Sequence, residues 1–280
     1  MYAPVVACLR CPLCHGGLAE TEAGSGRALR CVQGHSFDIA KQGYANLCCP
    51  PPAYAGDTPA MVASRAAFLE AGHYHFIAAA ISAAARERCA NGLVVEAGAG
   101  TGYYLGAVLD ALPESSGLAL DISKAALRRA ARAHPRAGAA LCDIWRSLPV
   151  ADASATLLLS VFSPRNGAEF ERVLARDGAL VVVAPTAEHM RELIGPLGLL
   201  SIGHDKDEAV AASLGAHFER VEEQRHDALL QLTHDEVQAL VLMGPSAWHV
   251  DAAQLTAAIA QLPEPVAVTA SVTVSVFRLV

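Results

Sequence analysis

The chain of 280 residues is long enough for a mid-sized domain with an appendage, and it can bury a sizeable core without a disulfide framework. Its 53% hydrophobic content and mean hydropathy of +0.31 exclude intrinsic disorder, yet no run approaches the ~18 uninterrupted apolar residues of a membrane span. With 21 basic and 28 acidic residues the formal charge is −7, which argues against coating DNA or RNA through the overall field.

Met1 to Leu9 has neither a basic start nor a long apolar stretch, so no signal peptide is expected and a cytoplasmic location follows. Six of the eight cysteines precede residue 50: Cys8, Cys11, Cys14, Cys31, Cys48 and Cys49. The turn Cys11-Pro12-Leu13-Cys14 carries two thiols, and Cys31-Val32-Gln33-Gly34-His35 follows sixteen residues later. Cys11, Cys14, Cys31 and His35 thus have the ligand types and spacing of a structural tetrahedral Zn²⁺ site. Without a secretory leader a disulfide module is disfavoured. A redox Cys-x-x-Cys would need a thioredoxin-like strand before it. Cys8 is a competing ligand, His15 reads as a bystander, and the adjacent Cys48 and Cys49 do not easily serve one metal. Cys89 and Cys142 read as small buried hydrophobes. So short a segment builds little core, so the metal would supply folding energy. Phe37, Tyr44 and Leu47 suit packing of this segment, while Arg30, Lys41 and Tyr44 alternatively suit an RNA-facing surface. Residues 1–47 hold four basic and three acidic residues, so this part does not share the acidity of the rest.

Cys49 to Pro59 is rich in breakers and reads as a linker. The expected division is a zinc module over 1–48, a linker over 49–60 and a larger domain over 61–280. Helices are predicted from Ala60 to Ala71 and from His75 to Arg88. The apolar run Leu93-Val94-Val95-Glu96-Ala97 then enters Gly98-Ala99-Gly100-Thr101-Gly102 and a helix from Tyr103 to Leu112. Strand, glycine-rich turn and helix N-terminus together make a place for a polar cofactor. The Gly-x-Gly-x-Gly spacing differs from the dinucleotide fingerprint. Leu118 to Asp121 is a second strand ending in an acid, suited to ribose hydroxyls. Ala140 to Asp143 is a third, suited to an adenine amine. Acids at three consecutive strand ends (Glu96, Asp121, Asp143) form the pattern of S-adenosylmethionine (SAM) binding.

Further strands are expected at Thr156–Phe162, Ala179–Ala184, within His217–Leu232 and at Val266–Val280. Helices are expected at Ala168–Ala175, Ala187–Leu197, Glu208–Leu214, His234–Met243 and Ala252–Leu262. The alternation predicts an α/β fold with a parallel, doubly wound sheet of seven strands, the last one antiparallel.

The Cys-x-x-Cys and Cys-x-x-x-His pair, followed by Phe37-Asp38-x-Ala40-Lys41-x-Gly43-Tyr44-x-Asn46-Leu47, resembles the N-terminus of the RlmA family of 23S rRNA guanine-N1 methyltransferases. Arg65 to Tyr74 and Gly98 to Tyr104 resemble that family's next two signatures, so the resemblance spans nearly the whole chain. One departure is Gly56-Asp57-Thr58-Pro59-Ala60, which lacks the acid of the family's Gly-Asp-Ser-x-Glu. Val161 to Asn166 is similar to the branch containing macrolide-resistance methyltransferases such as the tylosin-resistance enzyme.

The resemblance implies a class I SAM-dependent methyltransferase fold with a small N-terminal zinc-binding module, SAM and structural zinc as cofactors, 23S rRNA as partner, a homodimer, and methylation of guanine N1 in hairpin 35, at position 745 or, by preference, 748. Carried over by motif, Tyr74, Gly98, Gly100, Tyr103, Tyr104, Asp121, Asp143 and His189 would line the SAM pocket, with Glu96, Gly102, Ile122 and Ile144 beside them. Guanine N1 would attack the methyl directly, with rate coming mainly from positioning. Asp57 is a candidate proton acceptor. Phe162 and Trp248 are candidate stacking platforms for an extruded base. Arg65 and Arg165 are candidate contacts to phosphate or guanine. A small-molecule SAM methyltransferase and a non-catalytic SAM- and RNA-binding protein are the alternative readings.

Overall fold

The computed structural model describes residues 1–23, 26–52, 54–89, 91–199 and 213–280. Its strands are β1 (Leu18–Ala23), β2 (Gly26–Cys31), β3 (Ser36–Ile39), β4 (Tyr44–Asn46), β5 (Leu93–Ala97), β6 (Ser116–Asp121), β7 (Ala137–Leu141), β8 (Ala155–Val161), β9 (Leu174–Pro185), β10 (Phe218–Leu232) and β11 (Val266–Leu279). All join one sheet in the order β1-β2-β3-β4-β7-β6-β5-β8-β9-β11-β10. The stretch β7-β6-β5-β8-β9 is parallel, and β11 lies antiparallel between β9 and β10. This is the seven-stranded arrangement with an antiparallel last strand.

The sheet does not stop at seven. Tyr44, Ala45 and Asn46 pair in parallel with Ala139, Ala140 and Leu141. The N-terminal strands therefore continue the sheet past β7. An uncovered β7 would present unpaired backbone groups along an apolar edge, and β4 satisfies them. At the opposite edge β10 is protected by charge, as in Glu219-Arg220-Val221-Glu222-Glu223.

The fully buried runs of β5 and β7 mark strands covered on both faces. Alternate residues divide between two cores. Val94 faces a core with α2 (Pro59–Glu70), α3 (His75–Arg88), α4 (Tyr103–Ala111), α5 (Lys124–Ala130), α7 (Arg191–Leu197), α8 (His234–Leu242) and α9 (Ala252–Ile259). Leu93 and Val95 face a second core with α6 (Gly167–Val173) and α1 (Ala3–Cys8), a helix the sequence reading did not anticipate. Leu9, Leu29, Phe37 and Leu47 join Leu118, Leu120 and Cys142 there. The zinc-ligand segment thus shares a core with the sheet. Val5 approaches so closely that a Cβ added at Gly138 would lie 2.8 Å from its Cγ1.

Tyr44 is buried, which removes it from the expected RNA-facing group, while Arg30 and Lys41 are exposed. The expected helix from Glu208 to Leu214 falls largely outside the described residues. None of the described helices is long and apolar enough to cross a membrane.

Candidate metal centre and cofactor cavity

Two turns converge beside β2. The Cys11 N–H donates to Gly16 O and the His15 N–H to Cys11 O, closing the first turn, and the Cys31 N–H donates to His35 O in the second. These bonds bring the ligand atoms of Cys11, Cys14, Cys31 and His35 within 4.8 Å of one another. The Cys14 and Cys31 Sγ atoms lie 3.6 Å apart, and His35 Nδ1 is 3.5 Å from Cys11 Sγ and 3.4 Å from Cys31 Sγ. A Zn–S bond of about 2.3 Å implies tetrahedral edges of about 3.8 Å, so the four residues fit a zinc ion. Burial alone would raise the Cys31 thiol, but hydrogen bonds from Cys14, the backbone at His35 and Gln33, and His35 itself outweigh it and hold the thiol at about 6. The thiolate is the ligating form. Cys8 lies outside the cluster, with its thiol directed to Pro4 O, and His15 is exposed.

The second site is a cavity of about 340 Å³ beyond the C-terminal ends of β5, β6 and β8, where strand order reverses direction from β5. That is the switch point at which open α/β sheets bind ligands. The glycine turn forms its floor. Gly98 and Ala99 both donate to Leu120 O, at 2.8 and 3.0 Å, and Gly100 N–H donates to Asp121 Oδ2 at 2.8 Å. Gly98 has φ +75°, and a Cβ there would lie 2.4 Å from the Cβ of Ser163, which closes the turn from β8. Only glycine meets both demands. Ser123 N–H donates to Asp121 Oδ1, so backbone donors orient this carboxylate at the cavity edge. Burial pushes the Asp121 carboxyl up. Burial likewise raises Glu96 to about 8, despite the Leu105 N–H that donates to it. Glu96 is therefore protonated near neutral pH.

Thr58 caps α2 and Pro59 begins it, so the chain turns sharply there and residues 54–57 lie over the cavity. Ser123 Oγ donates to Asp57 O at 2.7 Å and secures this strap to the end of β6. Arg65 on α2 pairs with Asp57 and donates to Met243 O at the end of α8, at 2.6 Å. His73, in the turn after α2, and Glu236 on α8 make a second tie, at 2.8 Å. Trp248, in the 3-10 turn Pro245–Trp248, completes the wall. Phe162 has φ +52°, a strained conformation for an aromatic residue, and is 41% exposed at the mouth.

Asp57, Arg65, Tyr74, Glu96, Gly98, Gly100, Tyr103, Tyr104, Asp121, Ile122, Ile144, Phe162 and Trp248 all line this cavity. Four expected residues do not. Gly102 is the N-cap of α4 and packs on Ala130 and Ala133. His189 is buried behind Tyr74, with Nε2 3.0 Å from the Tyr74 hydroxyl and Nδ1 against the Ser271 backbone. Arg165 points to Ser163 O, and burial lowers its pKa. Asp143 lies one residue before the cavity-lining Ile144 and accepts a 2.5 Å bond from the Tyr54 hydroxyl. Tyr54, Ser163, Met243, Gly244 and Pro245 also line the cavity without having been anticipated. Tyr54 and Ser163 fall inside segments with turn-like sequence, and Gly244-Pro245 marks where α8 stops, but nothing local places that end beside the cavity.

A family model described as "RlmA, N-terminal" matches residues 9–50. A Micromonospora griseorubida protein named "Putative 23S rRNA (guanine-N(1)-)-methyltransferase" is 54% identical over 293 residues, covering 99% of each chain. The 23S rRNA (guanine(748)-N(1))-methyltransferase of Streptomyces fradiae is 45% identical over 281 residues, again over 99% of each. The chain belongs to the 23S rRNA (guanine-N1)-methyltransferase family. Among solved structures, the complex of the Haloferax volcanii Trm112 methyltransferase activator with a methyltransferase gives a TM-score of 0.51 at 17% identity, covering 79% of this chain and 96% of that one, and this likeness concerns the fold. In this family member the N-terminal turns are a zinc ribbon, and the chemistry of the cavity suits SAM. Asp121 offers acceptors for a diol, Arg65 a cation for a carboxylate, and Tyr103 and Tyr104 apolar faces.

Proposed function

We propose that the protein transfers a methyl group from SAM to N1 of guanine 748 in 23S rRNA, a modification that would contribute to macrolide resistance. The observation that carries this reading is the full-length similarity to two N1-methyltransferases, one of them specified for that position.

SAM supplies an electrophilic methyl on a sulfonium centre. Asp121 would hold its ribose hydroxyls and Arg65 its carboxylate, with Tyr74, Gly98, Gly100, Tyr103, Tyr104, Ile122 and Ile144 shaping the pocket. The methyl would pass directly to guanine N1 with no covalent enzyme intermediate, and the chain's own task would be to position the base and accept the N1 proton. Of the carboxylates in the cavity, Glu96 is protonated and turned to Leu105, and Asp121 is held by two backbone donors. Asp57, on the strap and paired only to Arg65 among the contacts of its carboxylate described, is the proposed acceptor of that proton. Phe162 and Trp248 would hold the extruded base.

In this reading residues 1–48 recognise the rRNA hairpin, 49–60 strap the cavity and 61–280 carry the transfer, in a cytoplasmic homodimer. Incubation with radiolabelled SAM and unmethylated 23S rRNA, followed by primer extension, tests it, because an N1 methyl blocks base pairing. A single stop at guanine 748 is expected. Absence of incorporation into both free and ribosomal rRNA would overturn the reading. Sedimentation at twice 29.2 kDa would support the dimer.

A further inference from the structure

The loop from Cys142 to Pro149 faces two sites at once. Its Ile144 lines the cofactor cavity, while Asp143, Arg146 and Ser147 line a separate groove of about 140 Å³. The opposite wall of that groove is the first zinc turn, with Arg10, Cys11 and His15. Two guanidinium groups line it in a chain whose formal charge is −7: Arg10 also donates to Ala7 O and Leu9 O, and Arg146 to Pro50 O. The carboxylate among the described lining residues, Asp143, has partners on both oxygens. It accepts from the Tyr54 hydroxyl at 2.5 Å and the Trp145 N–H at 3.0 Å, and its other oxygen is 3.2 Å from Arg146 Nε. Asp143 offsets Arg146, so Arg10 is the excess positive charge among the described lining residues.

Trp145 follows Ile144 in the same loop. Its side chain is 58% exposed, and Tyr54 beside the same carboxylate is 45% exposed. An indole costs free energy in water, yet its backbone is fixed through Asp143. A rigid exposed aromatic flanked by arginine is the usual platform for an unpaired base, and an arginine-lined groove is the usual track for its phosphate.

We infer that this groove is a phosphate site for the rRNA strand next to the target guanine, with Trp145 stacking a flanking base. The inference rests on the rRNA reading above and adds the path by which the strand runs from zinc turn to cavity. Arg10 and Arg146 neutralise the phosphate from the two walls. Because one wall belongs to the zinc turn and the other to the loop that carries Ile144, the bound strand fixes the distance between hairpin recognition and methyl transfer.

The experiment measures binding of a fluorescein-labelled transcript of the 23S rRNA hairpin containing guanine 748 to the full chain at several salt concentrations. Binding of S-adenosylhomocysteine is followed by calorimetry in parallel. Trp145→Ala should weaken hairpin binding about tenfold without changing its salt dependence or the affinity for S-adenosylhomocysteine. Arg146→Ala should weaken binding and reduce the salt slope by about one, and Arg146→Lys should restore the slope. Unchanged hairpin affinity and slope in both alanine variants would overturn the groove while leaving the rRNA reading intact. Wild-type protein that binds S-adenosylhomocysteine but not the hairpin would overturn the rRNA reading and the groove with it.

Discussion

The metal centre and the cofactor cavity are both built on tight turns, but they are assembled over different distances. All four metal ligands fall between Cys11 and His35, and local backbone bonds within two turns bring them together. The cavity takes residues from Tyr54 to Trp248, and its walls meet only because strands and helices distant in sequence pack side by side. A local site organises its own segment, whereas a dispersed site borrows the rigidity of the fold. Loss of a metal ligand should thus damage the fold, and loss of a cavity residue should damage binding.

Cys31→Ser gives the largest expected effect. Without a bound metal the two turns lose their anchor, and their hydrophobic residues Leu9, Leu29 and Phe37 belong to the core that covers the sheet. A loss of at least ~3 kcal/mol, or about 10 °C in melting temperature, is expected, with zinc content reduced. A variant that keeps its melting temperature while losing zinc would show that the segment is only appended to the sheet.

Gly98→Ala tests the opposite half of the comparison. The added methyl meets Ser163 and forces a left-handed conformation on alanine. Calorimetry should show S-adenosylhomocysteine affinity reduced by about 100-fold, with circular dichroism still that of a folded α/β protein. Next in size is Asp57→Asn, which should lower kcat by about 10–100-fold in single-turnover assays while KM for rRNA changes little. An unchanged kcat would remove Asp57 as the proton acceptor.

The smallest effect is a pH dependence. Burial raises Glu96 from an ordinary carboxyl value of 4.5 to about 8 in the folded protein. Between those values the unfolded chain has lost the proton and the folded chain retains it, so stability falls as pH rises through this window. Glu96→Gln removes that term. Its melting temperature should decline less than that of the wild type between pH 5 and pH 8, and parallel curves would show that Glu96 ionises normally.

Much of the fold was legible because strand runs, glycine turn and acids are short-range signals. Leu93–Ala97 and Ala137–Leu141 are buried throughout, and apolar apart from Glu96, since helices or loops cover both faces. The parallel pairing of Tyr44–Asn46 with β7 was not legible, because three residues carry no periodicity and their partners lie about a hundred positions away. The breaker-rich stretch before α2 reads as a linker, since proline and glycine announce irregular backbone but not where it lies. In the fold it holds Tyr54 and Asp57 over the cavity.

The sequence by itself determined the metal ligands and the α/β order, since those depend on spacing along a few turns and on local periodicity. It also marked Glu96, Gly98 and Asp121, which sit at the ends of strands it could identify. Tertiary structure alone decided that Asp143 is occupied by Tyr54, that His189 stands behind Tyr74, and that Arg65 joins the strap to α8. Each of those depends on which distant surfaces meet when the two cores close around the sheet, and no local pattern of residues encodes such a meeting.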